Sequence, residues 1–164
     1  QTPWGVQQLV RGSFIPYEEM DTFFIGRDEF TFKGNPKENI WSSLTEAAIS
    51  YLNAPYLWGG KSPFGIDCSG LTQTVLRFFD INIPRDASQQ IECGREIDYN
   101  ELESGDLAFF HNANGKIIHV GFCGEDGKFI HASGRVRIDE LTNEGILNSE
   151  TGELTHHLHS IRRM

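Results

Sequence analysis

The sequence predicts an α+β fold, in which helices come before an antiparallel sheet and a short β appendage precedes both. Three observations predict it. Residues 1–38 contain brief strand-like pieces, residues 41–92 carry apolar side chains at helical spacing, and residues 104–161 alternate between strands and tight turns. Helices and strands that are segregated along a chain are typical of α+β proteins. We therefore expect a β appendage at residues 1–38 and a main domain at residues 39–164.

The appendage consists of short strand-like runs separated by turn residues. The runs are residues 6–10, 12–16, 22–26 and 30–32, with turns at residues 27–29 and 34–36. This is too little chain to close an independent barrel. We expect the appendage either to pack on the main domain or to be the end of a domain that lies upstream.

The main domain opens with a predicted helix. Ser42 or Ser43 can cap its first turn, and Glu46 follows three residues after Ser43, as in a capping box. Apolar residues then recur at helical spacing as far as Leu52. Pro55 stops the helix.

Two more helices are predicted before the sheet. The second follows Cys68, and its buried stripe is expected to comprise Leu71, Val75, Leu76, Phe78 and Phe79. A turn at residues 82–84 follows it. Asp86 can then cap a third, short helix that extends through Glu92.

The remainder of the domain is predicted to form an antiparallel sheet. Its strands are expected at residues 106–110, 116–122, 128–133, 135–138 and 156–161. Asn112–Gly115 is a hairpin signal between the first two of these strands, and Gly124–Gly127 is a tight turn between the next two.

Cys68 is the strongest candidate for a nucleophile. It lies in the run Phe64–Leu71, where a glycine-rich turn gives way to the second helix. The unpaired N–H groups and the positive dipole end of a first helical turn favour a thiolate over a thiol. The sequence therefore predicts a pKa for Cys68 below the ordinary value of about 8.5.

Two histidines are positioned to supply a base. His119 and His131 lie in strand-like runs, and their separation, 131 − 119 = 12 residues, suits adjacent antiparallel strands joined by a tight turn. A cysteine on a helix and histidines on the facing sheet describe a papain-like arrangement. In such an arrangement one layer presents the nucleophile and the other presents the base.

Other cysteines and histidines are interpreted structurally. Three cysteines are an odd number, so we expect no disulfide framework. Cys123 is interpreted as a buried apolar residue, with a Cys93–Cys123 bridge as the alternative. The cluster of His156, His157 and His159 is either a metal site or a solvated terminal strand. We expect the second, and hence no metal and no cofactor.

Composition and charge exclude several classes of function. The net charge of −9 argues against contacts with nucleic-acid phosphates, so we expect no nucleic-acid partner. No run approaches the roughly 18 apolar residues of a membrane span, so we expect no transmembrane segment. The 164 residues suffice for one domain plus the appendage, and we expect a monomer.

Six sequence blocks carry a family resemblance. In chain order they are residues 55–60 (PYLWGG), 65–71 (GIDCSGL), 83–85 (IPR) with Gln90 behind it, 104–110 (SGDLAFF), 119–121 (HVG) and 129–133 (FIHAS). With these blocks the chain from Ala54 onward resembles the NlpC/P60 cell-wall cysteine peptidases. It is most similar to the γ-D-glutamyl-L-diamino acid endopeptidases, which cleave muropeptides with a free N-terminal L-alanine and place SH3-like domains before the catalytic domain. Residues 1–38 would resemble the end of such a domain; no complete one is present.

The resemblance implies roles for the catalytic residues. Cys68 would attack the bond between γ-D-glutamate and the following diamino acid of a peptidoglycan stem peptide. His119 would take and return the proton, and His131 would orient His119. The Cys68 N–H would bind the oxyanion, and the Tyr56 hydroxyl is a further candidate donor.

The resemblance also implies a substrate-binding site. Asp67 is either an acid favoured by the helix dipole or, with Ser69 and Tyr56, the site of the substrate's α-ammonium, which we favour. An unpaired Asp67 carboxylate would raise the thiol pKa of Cys68, and a bound ammonium would neutralise it. Arg85 either pairs with a nearby acid or binds the α-carboxylate of D-glutamate.

Two other functions stay open. A papain-like acyltransferase or amidase uses the same acyl-enzyme, and a catalytically silent cell-wall-binding module would need no intact Cys–His–His set. The sequence does not distinguish diaminopimelate from lysine, or polymeric wall from released peptide. No signal-peptide pattern is present, so we expect any targeting segment to have been removed or never to have existed. The compartment is open, with the cell envelope or periplasm favoured over the bacterial cytoplasm.

Overall fold

The computed structural model describes residues 5–6, 9–13, 22–32 and 40–164. The chain divides into two compact units, residues 1–40 and residues 41–164. The predicted runs at residues 6–10 and 12–16 lie partly outside the described residues and the turn at 34–36 lies wholly outside them, so the likeness of the appendage to an SH3-like domain stays a prediction. In the described part of the chain, no helix combines the length and apolar character that a membrane crossing needs.

The first unit contains a β-hairpin. Thr22–Ile25 (β1) pairs antiparallel with Asp28–Thr31 (β2), and the rings of Phe23 and Phe30 stack across it with centroids 5.5 Å apart. The turn comes earlier than the predicted turn at residues 27–29. Gly26 adopts a φ of +66°, a conformation that two-residue hairpin turns favour, so Asp28 already belongs to the second strand.

The second unit begins with helix α1, Leu44–Ile49. The Ser43 hydroxyl accepts a hydrogen bond from the Glu46 N–H at 3.1 Å, as predicted. The Glu46 carboxylate accepts from the N–H of Ser42 rather than that of Ser43. The helix ends before Leu52, because the N–H groups of Tyr51 and Leu52 bond the carbonyls three residues back, those of Ala48 and Ile49, instead of the carbonyls four residues back.

The second and third helices lie where the sequence predicts them, with different ends. A small ribbon of Lys61–Ser62 (β3) and Gly65–Ile66 (β4) leads into α2, Cys68–Arg77. The predicted stripe is buried inside α2, whereas Phe78 and Phe79 follow its end and are half-buried. Helix α3 is the single turn Ala87–Gln90, shorter than predicted, and the Asp86 side chain makes no capping hydrogen bond.

The main sheet is antiparallel. Its strands are Arg95–Ile97 (β5), Leu107–His111 (β6), Ile117–Cys123 (β7), Lys128–Ser133 (β8), Arg135–Leu141 (β9), Gly145–Leu147 (β10) and Leu154–Arg163 (β11). Their order is β10-β9-β8-β7-β6-β11-β5, and β10 pairs with β11 as well as β9. Strands β6 to β11 therefore close on themselves as a barrel, with β5 added outside β11. The sequence predicted neither β5 nor β10, whose three residues are too few to show a period.

The two faces of the sheet carry separate apolar clusters. The outer face packs against the helices through residues that include Phe109, Val120, Phe122, Ile130, Ala132 and Val136. The inner face encloses Ala108, Phe110, Cys123, Phe129, Leu141, Ile146 and Ile161. Helices packed on an antiparallel sheet confirm the predicted α+β class. His119 lies opposite Phe110 in the strand register, so the inner face also holds the candidate catalytic histidines.

Candidate active site

Cys68 is the first residue of α2, and Asp67 is the N-cap. Oδ1 of Asp67 accepts a hydrogen bond from the Gly70 N–H at 2.7 Å, which satisfies one of the unpaired donors of the first turn. A Cβ at Gly70 would collide with the carbonyl oxygen of Gly60. Glycine at this position therefore lets the preceding turn close against the helix and fixes Cys68 at its N-terminus.

The thiol of Cys68 is buried, and its pKa is raised. Burial is the largest cause, and the negative charge of Asp67 adds to it, while backbone N–H groups of Ser69, Val120 and Cys68 itself oppose the rise. The prediction of a lowered pKa is therefore wrong, because desolvation of the thiolate outweighs the N–H groups of the helix start. In the resting protein Cys68 is a thiol at neutral pH.

The thiol meets the sheet where two strands separate. Pairing of β7 with β8 ends at Gly121 opposite His131, and Cys68 lies against the N–H of Val120, the next residue of β7. His119 precedes Val120 and is buried. The structure describes both Cys68 and His119 and shows no hydrogen bond between them. Such contacts are commonly long in ligand-free sites and tighten with substrate.

A chain of hydrogen bonds runs inward from His119. Nε2 of His119 lies 2.7 Å from Nδ1 of His131, and Nε2 of His131 lies 2.9 Å from Oδ2 of Asp139. All three side chains are buried. The contact that the sequence predicted between the two histidines is therefore present, and it continues to a carboxylate.

Gly121 makes the contact between the histidines possible. It lies opposite His131 in the strand register, on the same face of β7 as His119. A Cβ at Gly121 would come within 2.8 Å of the His131 Cβ and 2.6 Å of the Phe129 ring. Because the position has no side chain, the His131 ring can lie over the strand and reach His119.

Both histidines are held neutral. Burial lowers the pKa of His119 well below 6.5, and the charges of His131 and His156 lower it further. Burial also lowers the pKa of His131, against the opposing hydrogen bond to Asp139. The ring of His156 lies over that of His119, with centroids 4.6 Å apart and planes inclined by 30°. His119 is therefore a neutral imidazole at neutral pH, with one ring nitrogen free to accept a proton.

Arg85 is paired with Asp67 beside the nucleophile. Nη2 of Arg85 donates to Oδ2 of Asp67 at 2.6 Å, and Nη1 donates to the Ser69 hydroxyl at 2.9 Å. Burial raises the pKa of Asp67, but hydrogen bonds from Arg85, Gly70 and Gly59 outweigh it, and the net shift is downward. Of the two roles weighed for Arg85, the structure shows the ion pair with a nearby acid. The Asp67 carboxylate therefore already has a cationic partner beside the thiol.

Tyr56 completes the group of residues around the thiol. Burial raises the pKa of its phenol, and the charges of Cys68 and Asp67 raise it further, so the hydroxyl lies within electrostatic reach of both. Its ring stays partly exposed. The structure thus gathers Tyr56, Asp67, Ser69 and Arg85 on one side of Cys68, while His119 and His131 lie in the sheet.

Asp139 is the residue of this site that the sequence reasoning missed. It lies on β9, two residues after Arg137, which pairs with His131 in the register. The signal was the alternation of the strand that follows the second histidine: a polar residue on the histidine's face, two residues along the next strand from the position opposite, comes within reach of its ring.

The remaining histidines and cysteines lie apart from this chain of hydrogen bonds. The rings of His157 and His159 both lie near that of His111, at centroid distances of 6.3 and 5.8 Å. Among the described residues, no three His, Cys, Asp or Glu side chains are grouped closely enough to hold a metal ion. All three cysteines are unbridged thiols.

Comparison with known proteins gives matches over the same region. The model of the NlpC/P60 family matches residues 53–154. A gamma-D-glutamyl-L-lysine dipeptidyl-peptidase of Bacillus cereus (strain ATCC 10987 / NRS 248) is 39% identical over 114 residues, which cover 66% of this chain and 34% of that protein. The probable endopeptidase NlpC of Escherichia coli (strain K12) is 36% identical over 110 residues, which cover 66% of each chain.

A solved structure shows the same fold. The crystal structure of an NlpC/P60 family protein from Bacillus cereus ATCC 10987 matches with a TM-score of 0.65 and 29% identity, over 82% of this chain and 43% of that one. The chain thus spans about a third of the length of the dipeptidyl-peptidase relative. These matches confirm the papain-like α+β class and the resemblance carried by the six sequence blocks. The chain belongs to the NlpC/P60 family.

Proposed function

We propose that this protein is a cysteine peptidase that hydrolyses the bond between γ-D-glutamate and the following diamino acid of peptidoglycan stem peptides. The observation that carries the proposal is the buried Cys68 at a helix start, set against strand β7, whose His119 is hydrogen-bonded to His131 of the neighbouring strand β8. The Bacillus cereus relative is a gamma-D-glutamyl-L-lysine dipeptidyl-peptidase, which supports the choice of bond.

Acylation would begin from a neutral pair. As the Cys68 sulfur attacks the γ-carbonyl carbon and forms an S–C bond, the thiol proton passes to His119. The carbonyl oxygen becomes an oxyanion that the Cys68 N–H can bind, with the Tyr56 hydroxyl as a second donor. His119 then gives the proton to the leaving amine as the C–N bond breaks, and the diamino acid departs.

Deacylation would use the same groups in the reverse sense. A water molecule gives a proton to His119 while its oxygen attacks the thioester carbon, and the proton returns to the Cys68 sulfur as the S–C bond breaks. The acyl product leaves with a free carboxylate. General acid–base catalysis of this kind contributes on the order of 10²–10⁴-fold to the rate.

We propose further that the substrate carries a free N-terminal L-alanine, bound by an exchange of partners at Asp67. Each oxygen of this carboxylate already accepts two hydrogen bonds, and one of the four comes from Arg85. An α-ammonium that binds Asp67 would take the place of Arg85. The released guanidinium could then pair with the α-carboxylate of D-glutamate, so both roles weighed for Arg85 would occur in turn.

Two other functions make different predictions. An acyltransferase would resolve the same thioester with an amine, so its product would carry the acceptor instead of a free carboxylate. A silent cell-wall-binding module would leave every peptide intact. The buried chain from His119 through His131 argues for catalysis, because a binding module does not need a neutral base beside a thiol.

The test is cleavage of L-Ala-γ-D-Glu-L-Lys and of the corresponding diaminopimelate peptide, with products identified by mass spectrometry. We expect L-Ala-γ-D-Glu with a free carboxylate and the free diamino acid. The N-acetylated peptide should be cleaved about ten- to a hundredfold more slowly, since a charge-assisted hydrogen bond contributes roughly 1.5–3 kcal/mol. Asp67→Asn should shrink that preference, and Asp126→Asn, at an exposed turn, should preserve it.

The outcomes separate the parts of the proposal. No cleavage of either peptide would refute the peptidase activity on this bond. Equal rates on the free and acetylated peptides would refute the exchange at Asp67 while leaving the bond assignment standing. A product joined to an added amine would favour the transferase.

A further inference from the structure

We propose that Asp139 sets the position of the protons on both histidines, and that this leaves Nδ1 of His119 unprotonated and able to accept the Cys68 proton. Asp139 would be a positioning residue, since it acts through His131. The catalytic consequence of this inference rests on the proposed cysteine peptidase mechanism. The proton positions themselves do not depend on it.

Asp139 is built into the sheet as a fixed acceptor. It is 4% exposed, and Oδ2 faces Nε2 of His131 at 2.9 Å. Oδ1 accepts three hydrogen bonds: from Nη2 of Arg137 at 2.9 Å, from the N–H of Ser149 at 3.0 Å and from the Ser149 hydroxyl at 2.8 Å. Burial raises the pKa of Asp139, but hydrogen bonds from His131 and from the N–H and hydroxyl of Ser149 hold it well below 3.8, so the group is an ionised carboxylate.

An ionised carboxylate dictates the tautomer of its neighbour. Oδ2 can only accept, so Nε2 of His131 must carry a proton. A neutral His131 then has a lone pair on Nδ1, which can only accept from Nε2 of His119. His119 must therefore be protonated on Nε2, and when neutral it has its lone pair on Nδ1. The direction of each bond follows from the one before it.

The same logic serves the charged intermediate. When His119 takes the thiol proton on Nδ1, its Nε2–H still meets the lone pair of His131, and the Asp139 carboxylate polarises that acceptor. A doubly protonated His131 would break the chain, because two N–H groups would then face each other. The groups that face His119 are His131 and His156, and those that face His131 are Asp139 and Arg137. Burial of both rings keeps the pair neutral in the resting state.

Asp139→Asn would reverse every proton position. The three donors at Oδ1 would hold the amide oxygen at that end, so the amide NH₂ would occupy the place of Oδ2 and donate to Nε2 of His131. His131 would then carry its proton on Nδ1 and donate to Nε2 of His119. The proton of His119 would move to Nδ1, and a protonated Nδ1 has no lone pair to accept the proton of Cys68. In serine peptidases, an aspartate-to-asparagine change that imposes the wrong histidine tautomer lowers kcat by about 10⁴-fold.

Asp139→Ala should impose neither tautomer on His131. The variant has no donor to aim at His131, and Arg137 keeps Glu150 and Asn148 as partners. We expect Asp139→Asn to be the more stable variant, because asparagine fills the same space and its amide oxygen can accept from the donors that now bond Oδ1. We expect Asp139→Ala to be the more active variant. A merely structural role for Asp139 predicts the same order for stability and activity. The matched control is Glu140→Gln, which removes the same charge from the exposed next residue of β9 and should change neither property.

The experiment is long-range ¹H–¹⁵N NMR of the imidazole rings in the resting protein, with signals assigned by their loss in His119→Gln and His131→Gln. We expect both rings to be protonated on Nε2 in the native protein and on Nδ1 in Asp139→Asn. The melting temperature and kcat of Asp139→Asn, Asp139→Ala and Glu140→Gln are measured as well. Unchanged tautomers in Asp139→Asn, or an Asn variant more active than Ala, would overturn the proposal. Because the NMR measurement needs no substrate, a protein inactive on stem peptides would refute the proposed function and leave this inference to be judged on the tautomers.

Discussion

Arg85 and Asp67 form an ion pair of 2.6 Å immediately beside the candidate nucleophile. The pair gives a cationic partner to a carboxylate whose negative charge raises the pKa of the neighbouring Cys68 thiol. The sequence placed the carboxylate beside the thiol but left its partner open. Asp67 therefore has a partner before any substrate arrives, and an incoming cation must compete with Arg85 for it.

Removal of Arg85 and removal of Asp67 should shift the pKa of the Cys68 thiol in opposite directions. Arg85→Met leaves Asp67 unpaired, so the thiol pKa should rise, whereas Asp67→Asn removes the negative charge, so it should fall. The pH dependence of Cys68 alkylation by iodoacetamide, followed by peptide mass mapping, measures both shifts. Arg95→Met, at an exposed position of β5, is the control. Shifts of the same sign in the two variants would contradict this electrostatic account.

Gly121→Ala should displace His131. The added Cβ would come within 2.8 Å of the His131 Cβ and 2.6 Å of the Ile130 carbonyl, and overpacking of this kind typically costs about 1–3 kcal/mol. We expect lower stability in urea and a loss of peptidase activity larger than the loss of stability explains. Gly124→Ala, in the following turn, meets its nearest atom at 3.3 Å and should change both properties less. Normal activity of Gly121→Ala would show that the His119–His131 contact is dispensable.

Stability should fall as the pH drops below 6.5. Burial lowers the pKa of His119 and His131 in the folded state, so between the folded and unfolded pKa values the unfolded chain binds more protons. The free energy of unfolding should be lower at about pH 5.5 than at about pH 7.5. Urea titrations measure it, and the difference should shrink in His119→Gln. Asp67 and Asp139 have lowered pKa values and act only below about pH 4, outside this window. A difference that is unchanged in His119→Gln would contradict the assignment.

Alkylation of the three cysteines should report the role of His119. Cys123 is fully buried, and burial together with the charge of Asp106 raises its pKa, so it should stay unmodified in the native protein. We expect His119→Gln to slow alkylation of Cys68, because the variant lacks the acceptor for the thiol proton. The rate at Cys93 is the internal reference and should not change. Equal slowing at Cys68 and Cys93 would point to a general loss of accessibility instead.

Much of the site could be predicted from local sequence. The place of Asp67 near a helix N-terminus, the helix after the glycine-rich turn and the adjacency of the His119 and His131 strands depend on short-range patterns. These are a turn before an apolar helix, and two histidines twelve residues apart in strand-like runs. Each pattern is set by residues close together in the chain. Helix α1 and its Ser43 cap were predicted from equally short-range patterns.

The rest depends on contacts between distant segments. The barrel closes through β10, three residues whose partners are β9 and β11, and no local period marks so short a strand. Asp139 reaches His131 only once β9 takes its register, and Arg85 reaches Asp67 across eighteen residues. The pKa of Cys68 was predicted with the wrong sign because the helix start is visible in the sequence and the burial is not.

The most direct test is to identify the acyl group on Cys68 during turnover. The protein is mixed with L-Ala-γ-D-Glu-L-Lys, quenched in acid and digested. The mass of the peptide that carries Cys68 is then measured by mass spectrometry. The account predicts an L-Ala-γ-D-Glu thioester on Cys68 and none in Cys68→Ala, which should release no dipeptide. Dipeptide release by Cys68→Ala, or an acyl group on another residue or of another composition, would contradict it.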